Sequence, residues 1–105
     1  MKSSTNLKEI RKRLRELVPN ISMSGFLEIE QIATAGHLRH LPPSIAVWQA
    51  VTTVARHQHT DYDQMLKEGY DADTARHFVR DDINETLKEW GCSRQLSDNE
   101  DQSKI

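Results

Sequence analysis

A single cysteine, Cys92, sets the first limit on this 105-residue chain. It cannot close an intrachain disulfide, and thiolate zinc sites need more than one such ligand, so any metal would have to rest on histidine and aspartate. Long hydrophobic runs are missing as well. Nothing approaches the roughly 18 apolar residues of a membrane span, and the opening MKSSTNLKEIRKR has no hydrophobic signal core, so a soluble, cytoplasmic protein without a membrane partner is expected. No convincing period-two alternation, no G-x-G-x-x-G or P-loop pattern and no long-period repeat occurs. No Ser-His-Asp or Cys-His nucleophile can be read from spacing, so an enzyme has no support here. Aromatics make up only 6% of the chain, and most fall at core spacing, which leaves no platform for stacking single-stranded bases.

What is present reads as helix. The chain has room for one domain and not two. Leu7, Ile10, Leu14, Leu17 and Val18 share one face at about 100° per residue, and Pro19 closes that helix. A second, weaker helix is expected from near Ser24, with Leu27, Ile32 and Ala33 inward and Gly36 just past its end. In the connector HLRHLPP, the prolines push Leu41 and Pro42 towards extended geometry, and Pro43 suits a first helical turn. The third helix, about 43–58, should be central, because Val47, Trp48, Ala50, Val51, Val54 and Ala55 cover nearly half its circumference. Thr60 with Asp63 resembles a capping box that opens a short helix ending at Gly69. Asp71 caps the last helix, whose stripe is Ala75, Phe78, Val79, Ile83, Leu87 and Trp90, and Gly91 ends it. The fold class is therefore all-α, a small bundle of four or five helices. Its expected organisation is an amphipathic helix over 1–20 packed on a core domain over 21–91. Residues 92–105 form a flexible polar tail, because SRQLSDNEDQSKI has little apolar content to offset ordering.

Charge is unevenly placed. The net charge is −2, but residues 1–15 carry six basic side chains against one acidic, while residues 16–105 carry an acidic excess of seven. Lys8, Arg11, Lys12 and Arg15 line one flank of the first helix, where they are either a solvated face or a surface for nucleic-acid phosphates.

The densest polar stretch is HQHTDYD, residues 57–63. Imidazole and carboxylate can hold zinc, but on a continuous helix His57 and His59 project about 200° apart and cannot chelate one ion. Each residue also has a structural reading: Arg56, His57 and His59 suit a helix C-terminus, and Thr60, Asp61 and Asp63 suit an N-terminus. His37 and His40 form a second pair, and His37, His40, His57 and His59 together are the alternative zinc set. His77 lies opposite the apolar stripe. Asp82 falls within the arc near Phe78 and Val79, where a carboxylate needs a partner such as Arg39, Arg56 or a histidine.

GHLRHLPPSIAVW, RHQHTDYDQML and EGYDADTARHFVRDDI together resemble a family of bacterial domains of unknown function, with fungal relatives. That family is marked by RH-x-HTDYD-x-LL followed by GYD-x-D-x-AR. The resemblance covers about residues 36–91, with Met65-Leu66 in place of the leucine pair. It implies a real domain and no particular activity, and it directs attention to Arg56, His57, His59, Thr60, Asp61, Tyr62, Asp63 and Arg76, with Tyr70, Asp71, Asp73 and Ala75 beside them. The leading expectation is a non-enzymatic helical binding module that contacts a protein or a nucleic acid and needs no cofactor. The alternative is a zinc-binding protein or metal-dependent hydrolase that uses the histidine pairs with Asp61 or Asp63. A homodimer is a third arrangement consistent with the sequence.

Overall fold

The computed structural model describes residues 2–97, with side chains from residue 6 onward. Among these residues there are five α-helices, one 3-10 segment and no strand. Helix α1, Lys2–Leu17, buries Ile10 and Leu14, with Val18 beneath its end and Leu7 and Leu17 half-buried. Pro19 follows where the ladder stops, as a residue without an amide proton should.

Helix α2, Met23–Ala33, starts earlier than its sequence suggests, because the Ser22 hydroxyl accepts from the Gly25 amide at 3.1 Å and caps it. Its inward face also differs. Leu27, expected inside, is 49% exposed, and the buried residues are Ile29, Glu30 and Ala33. Glu30 can take a core position because Arg11 of α1 meets it, Nε to Oε2, at 2.9 Å. The helix closes at Ala33, where Thr34 donates its hydroxyl to the Glu30 carbonyl. Gly36, with φ +57, therefore does not end α2 but opens the 3-10 segment Gly36–His40, whose Leu38 is buried. Leu41 and Pro42 are extended, with ψ of 158° and 143°, and Pro43 begins α3, as the proline pair requires.

Helix α3, Pro43–His59, is the hub: eight of its residues are buried, and every other helix and the 3-10 segment pack on it. Glu28 in the middle of α2 hydrogen-bonds Gln58 near the end of α3, while Ala33 at the end of α2 and Ala46 in the first turn of α3 line one cavity, so the two helices are antiparallel. Large side chains with almost no exposure, Leu14, Ile29, Ile83 and Leu87, fill the core around it. Each contributes roughly 1.5–3 kcal/mol by burial.

Helix α4, Tyr62–Lys67, is short and leads through Gly69, at φ +103, to α5, Ala72–Glu89. The buried stripe of α5 is Ala75, Val79, Ile83, Thr86 and Leu87. Phe78 does not belong to it and is 61% exposed. Asp82, placed at the core edge on the assumption that Phe78 was inside, is likewise exposed and needs no buried partner. Gly91 ends α5 at φ +84, and a Cβ there would lie 2.8 Å from the Asn20 side-chain nitrogen. The close approach is held by the Asn20 amide, which donates to the Trp90 carbonyl at 2.9 Å and ties the end of α1 to the end of α5.

The expected polar tail is docked at its start. The Leu96 amide donates to Asn84 Oδ1 at 2.7 Å, Leu96 packs on the core, and the Arg94 guanidinium lies 4.0 Å above the Trp48 ring. Low apolar content does not prevent this, because the backbone at Leu96 finds both a donor and an acceptor on Asn84. The rest of the segment read as a tail, 98–105, lies outside the described residues.

Candidate functional site

The polar stretch 56–63 forms the corner between α3 and α4. Thr60 is its pivot: its hydroxyl donates to the Arg56 carbonyl at the end of α3 and accepts from the Tyr62 amide, at 3.1 Å, at the start of α4. One side chain thus serves a carbonyl and an amide that the two helices would otherwise leave unpaired. Neither half of the expected capping box is made: the Thr60 hydroxyl takes the Tyr62 amide in place of the Asp63 amide, and Asp63 turns to His57, Oδ1 to Nδ1 at 2.7 Å. Tyr62, only 5% exposed, is wedged beneath this pair. Its ring meets His57 edge-on at 5.3 Å and the Arg56 guanidinium at the same centroid distance. Asp61 stands at the cap position without a side-chain bond to the helix, exposed to solvent. Arg76, one turn into α5, is held by Asp73 at 2.9 Å.

The histidines diverge. His57 faces Asp63 and Tyr62, while His59 lies edge-on to Trp90 at 5.4 Å. His37 and His40 lie beyond the opposite end of α3, a helix of 17 residues and so about 25 Å long. The set His37, His40, His57 and His59 is therefore not brought together. Among the described residues no three His, Cys, Asp or Glu side chains are placed to share an ion. His40 instead accepts from Arg39 Nε at 3.3 Å.

The basic flank of α1 is only partly available. Arg11 is engaged by Glu30, and the Arg15 guanidinium lies 5.8 Å from the centre of the Phe26 ring, which leaves Lys8 and Lys12 as its exposed lysines. Of the titratable groups, Asp71 lies below its ordinary value of 3.8, chiefly because its carboxylate accepts from the Thr74 amide. Burial raises the Cys92 thiol above its ordinary value, and its Sγ donates to the Arg94 carbonyl at 3.2 Å.

A concavity of about 260 Å³ lies between α1, α2, the 3-10 segment and α3. Ile10, Ala33, Leu38 and Ala46 line it together with Asn6, Thr34, Arg39 and His40, and the Thr34 hydroxyl is turned to the Glu30 carbonyl. The turn between α4 and α5 carries exposed side chains that periodicity does not disclose. Tyr70, Phe78 and Leu66 are 46%, 61% and 38% exposed around the turn between α4 and α5, and the two rings meet edge-on at 6.2 Å. Phe78 was hidden within an apolar stripe, and its distance from the true centre of that stripe was the available signal.

A family model described as an uncharacterized conserved protein (DUF2293) matches residues 13–91. The chain belongs to this family. The DUF2293 match begins within α1 and ends at the Gly91 that terminates α5, so it takes in the corner and the exposed aromatic pair but omits Lys8, Arg11 and Lys12. No curated protein and no solved structure matches the chain.

Proposed function

We propose that this DUF2293 chain is a non-enzymatic binding module whose partner is a protein, engaged at the α4–α5 side of the domain. The observation that carries the reading is the exposed apolar group Leu66, Tyr70 and Phe78. Two of its members, Tyr70 and Phe78, meet edge-on, and adjoining apolar side chains exposed on a small domain are the usual mark of an interaction surface. The corner beside it supplies the scaffold: Thr60 and Tyr62 fix the angle between α3 and α4, and the exposed edges of His57, Asp61 and Asp63 offer polar contacts next to the apolar ones. Asp63, Leu66 and Lys67 share one face of α4 by their spacing of three and four residues. A nucleic-acid partner is less well supported, because Arg11, one of the four candidate cations on α1, is already paired with Glu30 within the fold.

The test is photo-crosslinking in the cells of origin, with benzoyl-phenylalanine placed singly at position 70, 78, 8 or 44 of the full-length chain. A discrete protein adduct formed from 70 and 78 and absent from 44 is expected. Adducts formed only from position 8 and removed by nuclease would replace this reading with nucleic-acid binding.

A further inference from the structure

We infer that the outward face of α5, together with Tyr70 and Leu66, takes a basic amphipathic helix of the partner protein. The inference rests on the protein-binding reading above and adds the chemistry of the partner. Phe78 and Tyr70 form an exposed aromatic step at the start of this face. Asp81, Asp82, Glu85 and Glu89 follow Phe78 at intervals of three, four, seven and eleven residues, which keeps them on the same side of α5 for about three turns. All four are exposed. The ion pairs among the described residues, Arg11–Glu30, Arg13–Glu9, His57–Asp63 and Arg76–Asp73, involve none of them. The basic helix α1 does not pack on α5, so it does not neutralise this row.

Like charges at helical spacing repel one another, and a partner that brings cations relieves that repulsion as it covers Phe78. An extended peptide adding to a sheet edge has no template here, since there is no strand among the described residues. A helix laid along the face, with an apolar side chain or two against Phe78, Tyr70 and Leu66 and Lys or Arg over the carboxylates, fits both halves of the surface. Nucleic acid and anionic lipid are disfavoured by the same four carboxylates. A second copy offering α1 is a poorer match, because the outward side of α1 is basic while its large apolar residues Ile10 and Leu14 are committed to the core.

The experiment uses the full-length ¹⁵N-labelled chain and two synthetic 18-residue amphipathic peptides of identical pattern, one of leucine and lysine and one of leucine and glutamate. The Leu/Lys peptide should shift amides of residues 66–70 and 74–89, with an affinity that falls as salt rises. Phe78→Ser should weaken it at least tenfold, and Asp82→Lys with Glu85→Lys should weaken it and flatten the salt dependence. Lys8→Glu with Lys12→Glu should leave its site unchanged. Shifts mapping elsewhere, equal binding of the Leu/Glu peptide, or indifference to Phe78→Ser would overturn the inference. Sedimentation that shows a dimer abolished by Phe78→Ser would overturn it in favour of a second copy. If neither peptide binds while crosslinking from 70 and 78 still yields a protein adduct, the basic-helix chemistry fails and the binding module stands; if the adduct is absent as well, both fail.

Discussion

The corner at 56–63 and the outward face of α5 are both rich in charge, and they differ in where that charge goes. In the corner, Thr60 serves two backbone groups, Asp63 meets His57, and Arg56 lies against Tyr62, so most of the chemically suggestive residues are occupied in joining α3 to α4. On α5, Asp81, Asp82 and Glu85 belong to none of the ion pairs among the described residues, and Phe78 stands beside them in water. A cluster of histidine, aspartate and tyrosine draws the eye first, yet its internal partners explain it as architecture. The plainer face is the one whose groups are left for something else.

The comparison breaks most sharply at Tyr62 and Phe78. Tyr62→Ala removes a buried ring from beneath the corner and should cost about 3 kcal/mol in urea unfolding. Phe78→Ala removes a ring of similar size from solvent and should change stability by no more than about 0.5 kcal/mol. Equal losses at the two positions would mean that Phe78 is part of the core and not of a surface. The same logic divides the basic flank of α1. Arg11→Ala strands the buried carboxylate of Glu30 and should cost about 2 kcal/mol, whereas Lys12→Ala should lie within about 0.5 kcal/mol of the parent.

These contrasts also mark what the sequence could disclose. Helix α3 was legible because six apolar residues agree on one broad face, and Asp71 and Gly91 were legible because capping is decided within a few residues. Glu30 was not, since its inward place depends on an arginine 19 residues earlier on another helix. Phe78 and Asp82 were misplaced for a related reason: periodicity gives a stripe, but its centre is set by which helix packs against it. At the corner, helix-end preferences correctly implied a joint between helices. They could not show that Asp63 would leave Thr60 for His57, because a one-turn geometric choice settles that. The segment from Cys92 to Leu96 escaped altogether, because its anchor is the side chain of Asn84 and not its own hydrophobicity.

Two smaller effects sharpen the contrast between groups used internally and groups left outside. Thr60→Ala deletes both bonds of the pivot and should cost about 1 kcal/mol, with hydrogen exchange accelerated first in α4. Asp71 provides the pH test. Its carboxylate is held below 3.8 in the folded protein by the Thr74 amide, so the unfolded chain binds a proton there at higher pH than the folded one does. The stabilisation it gives is therefore fully present above that ordinary value and is lost as pH falls through the lower, folded value. Asp71→Asn keeps an acceptor for the Thr74 amide but does not titrate, so the parent should be more stable than the variant at pH 7, and the difference should close on acidification below about pH 4.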